Sequence, residues 1–413
     1  MKKFAKILCV LLGFCLCMGG FAACGDKKNG GEVVLSVWVP EEDMTYAKAI
    51  AEDFKKAHPE KTYEFQWAAQ SEMNAATKVL TDVEAAADVF SFANDQLSRL
   101  VSGDALAQIG GDYLANMEAQ NDEEAVKACK LNVNGTDRAF AFPYTDNTFF
   151  LFYNKAKFSE TDILTLDGIL ARCSASEQFA YPMQDGWYNS AFFFGKDLGY
   201  TVEYGASYTE TKITTDFDNE TGIKVTQSMY EYVQNPGFKA DAGDSNITAG
   251  FNAGTVIAAA TGIWNMRSIK NSLGDNLGVA KLPTYTYDRA GANEQAQLKA
   301  FAGYKLMGAN RHSKNMADAV AFASFYTNKQ SQIKHFEARN FLPTNKEARQ
   351  ENAITADPCA QAIAAQLAVS KSQINVPSTL YEPLKGLGTA MVNPGSFNAE
   401  TQIKSAASAI RKG

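Results

Sequence analysis

Strand-like runs alternate with helix-period stretches at the start of the chain, and this alternation narrows the possible folds more than any other feature. Residues 33–39 (VVLSVWV), 62–67 (TYEFQW) and 88–92 (DVFSF) are apolar or β-branched and have strand length. Between the first two, Ala47, Ile50, Ala51 and Phe54 recur at helical spacing, and His58-Pro59 closes the helix. Between the second and third, Met73, Ala76, Val79, Leu80 and Val83 predict another helix. Such alternation gives βαβ units and a mainly parallel sheet. Ligands of such sheets collect beyond the carboxyl ends of the strands. Trp38, Trp67 and the turn Asn94-Asp95-Gln96 fall at or near those ends.

A chain of 413 residues exceeds one typical core and predicts two domains. Residues 138–142 and 149–153 flank Pro143-Tyr144-Thr145-Asp146-Asn147, an extended link that leaves one domain and enters the next. Beyond it the pattern is again mixed. Strands are predicted at 256–261, 277–282 and 301–309. Helical faces are formed by Val225, Met229, Tyr232 and Val233, by Ala317, Val320, Ala321 and Phe325, and by Ile403, Ala406, Ala407 and Ile410.

With 46% hydrophobic and 21% charged residues, the chain is globular rather than disordered or polytopic. Its net charge of −7 and the lack of a basic stripe argue against nucleic acid as a partner. Lys2, Lys3 and Lys6 precede an apolar run over residues 7–20, the pattern of an export leader too short to span a membrane. Phe21-Ala22-Ala23-Cys24 resembles the lipobox of bacterial lipoproteins, with Phe21 where Leu is usual; that resemblance implies cleavage after residue 23 and lipidation of Cys24. Loss of the leader lysines leaves 36 basic against 46 acidic residues. Residues 25–31 (GDKKNGG) have the composition of a flexible tether. Past Cys24 only Cys129, Cys173 and Cys359 remain, with neither disulfide nor zinc spacing.

The chemistry-bearing stretch is residues 181–194, YPMQDGWYNSAFFF. A Gln-Asp-Gly turn leads into Trp187-Tyr188, so rigid aromatic faces with polar tips stand beside Asp185. That combination suits a ligand apolar on its faces and polar at its rim, as a sugar ring is. Nucleophile, zinc-protease and nucleotide motifs are missing, and His58, His312 and His335 are far apart. Residues 216–219 (DFDN) lack the offsets of a calcium loop. No metal or cofactor is expected. Asp185 with Glu42 could in principle serve a glycosidase, and carboxylates that bind sugar hydroxyls are equally expected.

Taken in order, these pieces resemble the extracellular solute-binding proteins of ABC importers, and most nearly the maltose/maltodextrin-binding branch. The similarity runs from about Val33 to the C-terminus. It is carried by residues 88–109 (DVFSFANDQLSRLVSGDALAQI), 140–155 (FAFPYTDNTFFLFYNK), 184–199 (QDGWYNSAFFFGKDLG), 251–269 (FNAGTVIAAATGIWNMRSI), 278–285 (GVAKLPTY) and 301–315 (FAGYKLMGANRHSKN). It implies a two-lobed α/β fold of the periplasmic-binding type II class, with each lobe a mainly parallel sheet flanked by helices. Three crossovers are expected near Thr145, Tyr304 and Arg349. The first lobe would comprise 32–145 plus 304–349, and the second 146–303 plus 350–413.

The resemblance also implies sugar contacts. Asp95, with Asn94 and Gln96, matches a hydroxyl-binding turn whose basic residue is Gln96 here. Asn147 matches a crossover carboxylate, Asp185 an acidic contact, Trp187 the stacking Tyr beside it, and Trp264 a stacking Trp. Glu42 and Asp43 fall where the family has an acid followed by lysine. Tyr381 lies near the place of a C-terminal stacking Trp. Trp67, Tyr144 and Tyr188 complete the expected set, and Trp38 is assigned to the core. The implied protein is a lipid-anchored monomer that captures an α-glucan oligosaccharide and delivers it to membrane permease subunits. A receptor for another oligosaccharide or a polyol, a secreted glycoside hydrolase and a glucan-binding module without a transporter are the alternatives.

Overall fold

The computed structural model of the protein describes residues 31–412 apart from Asn134 and Pro394. The expected leader, Cys24 and all of the tether but Gly31 lie outside the described residues. In chain order the strands of the two main sheets are β1 (Glu32–Val39), β2 (Thr62–Ala69), β3 (Val89–Ala93), β4 (Phe142–Asn147), β5 (Phe149–Asn154), β6 (Gln178–Ala180), β7 (Phe238–Lys239), β8 (Val256–Gly262), β9 (Leu277–Ala280), β10 (Phe301–Ala309) and β11 (Lys371–Ser372).

The first sheet runs β2-β1-β3-β10, with β1 parallel to β2 and to β3. β10 enters antiparallel to β3, and its other edge pairs with β11 and then β4. The second sheet runs β7-β6-β8-β5-β9, parallel except for β5, which is antiparallel to both neighbours. In the first sheet β10 and the short β11 parallel to it run against the frame, and in the second β5 does; β10 and β5 each begin at a crossover, and helices flank both sheets. This is the expected type II architecture.

Strand burial follows from composition. In β1, Val33, Leu35, Val37 and Val39 point into the core while Val34, Ser36 and Trp38 are half-covered. In β5 both faces are buried. Phe149, Leu151 and Tyr153 enter one hydrophobic cluster, and Phe150 and Phe152 enter another on the opposite side. An unbroken aromatic run is what a strand covered on both faces needs. The helix Met44–Ala57 ends at His58 as expected. The predicted helix over residues 73–83 is shorter: a 3₁₀ turn at Glu72–Asn74 leads into Ala75–Val79. Asp82 then accepts from the backbone N–H of Ala85 at 3.1 Å, a local bond that competes with helix continuation.

Three segments join the lobes. β4 ends at Asn147 and β5 starts at Phe149, with Tyr144 in the first core and Phe149 in the second. β10 starts at Phe301 in the second core and reaches Tyr304 in the first. The third segment runs past Leu342, whose carbonyl accepts from Asp146 N at 3.1 Å and Thr145 Oγ1 at 2.8 Å; Phe341, Leu342 and Ile354 along it pack in the cluster that holds Phe150 and Phe152 of β5. Arg349 on this segment binds Asp146 of β4 at 2.6 Å and Asp122 at 2.9 Å. One guanidinium thus fastens the third crossover to the first.

Candidate ligand-binding site

The second lobe supplies an aromatic wall. Gly186–Gly195 is a helix whose N-cap is Asp185, with Oδ1 accepting from Trp187 N at 2.8 Å. The cap fixes where the helix starts and so where Trp187 points. Burial pushes the Asp185 carboxyl above the usual range, against the lowering effect of the Trp187 N–H. The Trp187 ring lies 4.9 Å from both Phe149 and Tyr188, centroid to centroid, and 6.0 Å from Trp264. Trp264 stands in the 3₁₀ turn Ile263–Asn265 that follows β8, and its ring lies over Gly262. The indole Nε1 of Trp264 is buried without a hydrogen-bond partner among the described residues. Below the rings, Asp244 collects the hydroxyl of Thr261 at 3.1 Å and the amide of Asn265 at 2.9 Å.

The first lobe faces this wall with a compact group of charges. Glu72, buried in the turn after β2, accepts from the Tyr144 hydroxyl and is ion-paired with Lys305 of β10. Gln96 holds that turn, accepting from Ala76 N at 2.8 Å and donating to the Glu72 carbonyl at 2.5 Å. Asp43 is buried against Arg339 at 3.1 Å and His335 at 3.5 Å. Burial pulls its carboxyl upward, but His335, Lys305 and Arg339 together hold it down at about 2. The Lys305 ammonium sits 4.6 Å from the ring centre of Phe341 and 6.0 Å from that of Trp264 in the opposite lobe.

A second cross-lobe contact lies at the turn Asn94–Gln96. Asp95 Oδ2 accepts from the Tyr381 hydroxyl at 2.9 Å, and that hydroxyl accepts from Gln373 at 3.1 Å. Burial raises the Asp95 carboxyl despite these bonds. Asn94 is engaged at both ends, donating to the Gln373 carbonyl at 2.7 Å and accepting from Tyr304 N at 2.9 Å.

The structure therefore brings Asp185, Trp187, Tyr188 and Trp264 together on one wall, and Asp43 and Tyr144 into the charged group opposite. Asn94, Asp95 and Tyr381 form their own link, and Gln96 braces Glu72. Trp67 packs beside Phe65 on β2 at 5.9 Å, Glu42 is exposed, and Asn147 is half-buried where β4 pairs with Gly303. Sequence reasoning missed Glu72, Lys305, Arg339 and Asp244. The signal for Lys305 was present: it is the one charge in the otherwise apolar strand FAGYKLMGA. Among the described residues no His/Cys/Asp/Glu group has metal-binding geometry, and Cys129, Cys173 and Cys359 are free.

The bacterial extracellular solute-binding protein family matches residues 49–362, about three-quarters of the chain. This chain belongs to that family. Over the full length of this solute-binding protein, a maltooligosaccharide ABC transporter solute-binding lipoprotein of Streptococcus pneumoniae is 21% identical, with 98% of that protein covered. A solved structure with acarbose is 31% identical, covering 92% of this chain and 99% of the other, at a TM-score of 0.83. The maltodextrin-binding protein of L. casei BL23, solved without ligand, is 25% identical over 92% of this chain and all of its own, at a TM-score of 0.77. Among the described residues no helix is long and apolar enough to cross a membrane.

Proposed function

We propose that this solute-binding protein is the lipid-anchored receptor of a carbohydrate ABC importer. It captures maltose/maltodextrin-type α-glucan oligosaccharides between its lobes and passes them to the permease. The neighbouring, mutually tilted rings of Trp187 and Trp264 beside the half-buried Asp185 carry this reading. Sugar C–H faces stack on such rings while hydroxyls bond to carboxylates and amides at the rim. The pneumococcal relative, by name a maltooligosaccharide receptor, and the neighbour solved with acarbose support the same ligand class.

We take the lobes as 32–145 plus 304–349 and 146–303 plus 350–413, closing by a hinge at the three crossovers. The protein acts as a monomer, held at the outer face of the cytoplasmic membrane by acylated Cys24, and does no chemistry on its ligand. Calorimetric titration of glucose, maltose, maltotriose and mannitol tests the reading. Binding of the α-linked oligosaccharides is expected, with maltotriose recovered intact. Binding of mannitol alone points to a polyol receptor, and steady release of glucose points to a hydrolase.

A further inference from the structure

We propose that Lys305 is a specificity-determining ligand contact: its ammonium donates to hydroxyl oxygens of the sugar ring held on Trp264. The inference rests on the ligand class proposed above and assigns a residue to it. Lys305 is 9% exposed, on the strand that crosses between the lobes. A lysine so placed carries three N–H donors. Among the described residues, Glu72 is its ion-pair partner; the Asp43 carboxylate, which Lys305 helps to hold charged, and the rings of Phe341 and Trp264 are also near. The ion pair is to one Glu72 oxygen, which leaves N–H donors of the ammonium for a ligand hydroxyl.

The ammonium is also aimed. Glu72 holds it from the first lobe and is itself held by Tyr144 and, through its carbonyl, by Gln96. Trp264, backed by Gly262, stands across the interlobe space in the second lobe. A sugar ring that lies on Trp264 brings its hydroxyl rim to the Lys305 donors, and a hydrogen bond from a charged donor is roughly twice as strong as a neutral one. The contact also ties ligand to both lobes at once, through Trp264 on one side and a crossover strand on the other.

The competing role is purely structural, Lys305 serving only to neutralise Glu72. Lys305→Met alone would leave the Glu72 carboxylate buried and unpaired, so the informative variant is Lys305→Met with Glu72→Gln, which removes both charges and keeps an acceptor for Tyr144. Thermal melts establish that it folds, and maltotriose is the probe. We expect maltotriose affinity to fall about ten- to hundredfold. In a Trp264→Ala background the same pair of substitutions should cost much less, because contacts to one ring are not additive. Wild-type affinity in the folded double variant overturns the inference and leaves the functional reading standing. An equal loss with and without Trp264 also overturns it, since Lys305 would then act elsewhere. A wild-type protein that binds no α-glucan overturns both.

Discussion

Gly262 lies directly beneath the ring of Trp264: a Cβ at residue 262 would fall inside the van der Waals envelope of Cζ3, Cη2 and Cε3. The backbone at Gly262 is ordinary extended chain, so conformational freedom is not what requires glycine there. Close approach is.

From this follows the first prediction. Gly262→Ala should push Trp264 off its seat while leaving the second core intact. Maltotriose affinity should drop roughly five- to hundredfold, the size of one stacking contact by analogy with bases on aromatics. The tryptophan emission maximum should move as the indole is displaced. Fluorescence titration reads both quantities, and unchanged affinity would mean that Trp264 does not hold the ligand.

The second prediction concerns pH and the crossovers. Burial raises the Asp146 carboxyl to about 7, and the neighbouring Asp122 adds to the rise, while the Arg349 charge works against it. A carboxyl whose folded-state pKa lies above its ordinary value of 3.8 keeps a proton that the unfolded chain has already given up. Its stabilising contribution is therefore full at low pH and declines as pH climbs from about 4 to about 7. Urea melts at pH 5, 6, 7 and 8 should show wild type losing on the order of 1–4 kcal/mol relative to Asp146→Asn across that window. Asp43, held at about 2, contributes in the opposite sense: its stabilisation is present above the ordinary pKa and is lost only as pH falls toward 2. The two effects do not overlap. Parallel pH profiles for wild type and Asp146→Asn would show that Asp146 stays ionised.

A third prediction addresses the anchor. Two acyl chains, if carried by Cys24 as proposed, would suffice for stable membrane association. Cys24→Ser should release the protein into the medium, and detergent phase partitioning should move it from the detergent to the aqueous phase. Equal partitioning of the two proteins would remove the lipoprotein reading.

Much of this architecture was legible because it rests on local pattern. The alternation over residues 33–92 gives the parallel frame of the first sheet, and the extended runs around residues 143–147 mark the first crossover. Asp185 and Trp187 were legible for the same reason, as an acid and an aromatic beside a local Gln-Asp-Gly turn, although the capping role of Asp185 shows only in the structure. Of the charged wall, Asp43 and Tyr144 are among the expected contacts, but their partners Glu72, Lys305 and Arg339 are not. By local pattern alone Asp43 is one of three adjacent acids in Glu41-Glu42-Asp43, and the resemblance is what marks it as a contact. It becomes buried only because the distant helix Lys329–Arg339 brings His335 and Arg339 against it. Glu72 likewise looks like a helix-start acid until β10 places Lys305 over it. Pairings between segments far apart in the chain leave no periodic trace in sequence. The shortened helix after Glu72 has a related cause, because Asp82 offers the backbone a local alternative that a hydrophobic period does not register.

Calorimetric titration of maltotriose into wild type, Trp187→Ala and Trp264→Ala tests the central claim most directly. If an α-glucan lies between the lobes against these two rings, wild type binds it and each truncation weakens binding roughly five- to hundredfold, corresponding to ~1–3 kcal/mol per stacked ring. Wild-type affinity in both folded variants would contradict the account and place the ligand elsewhere.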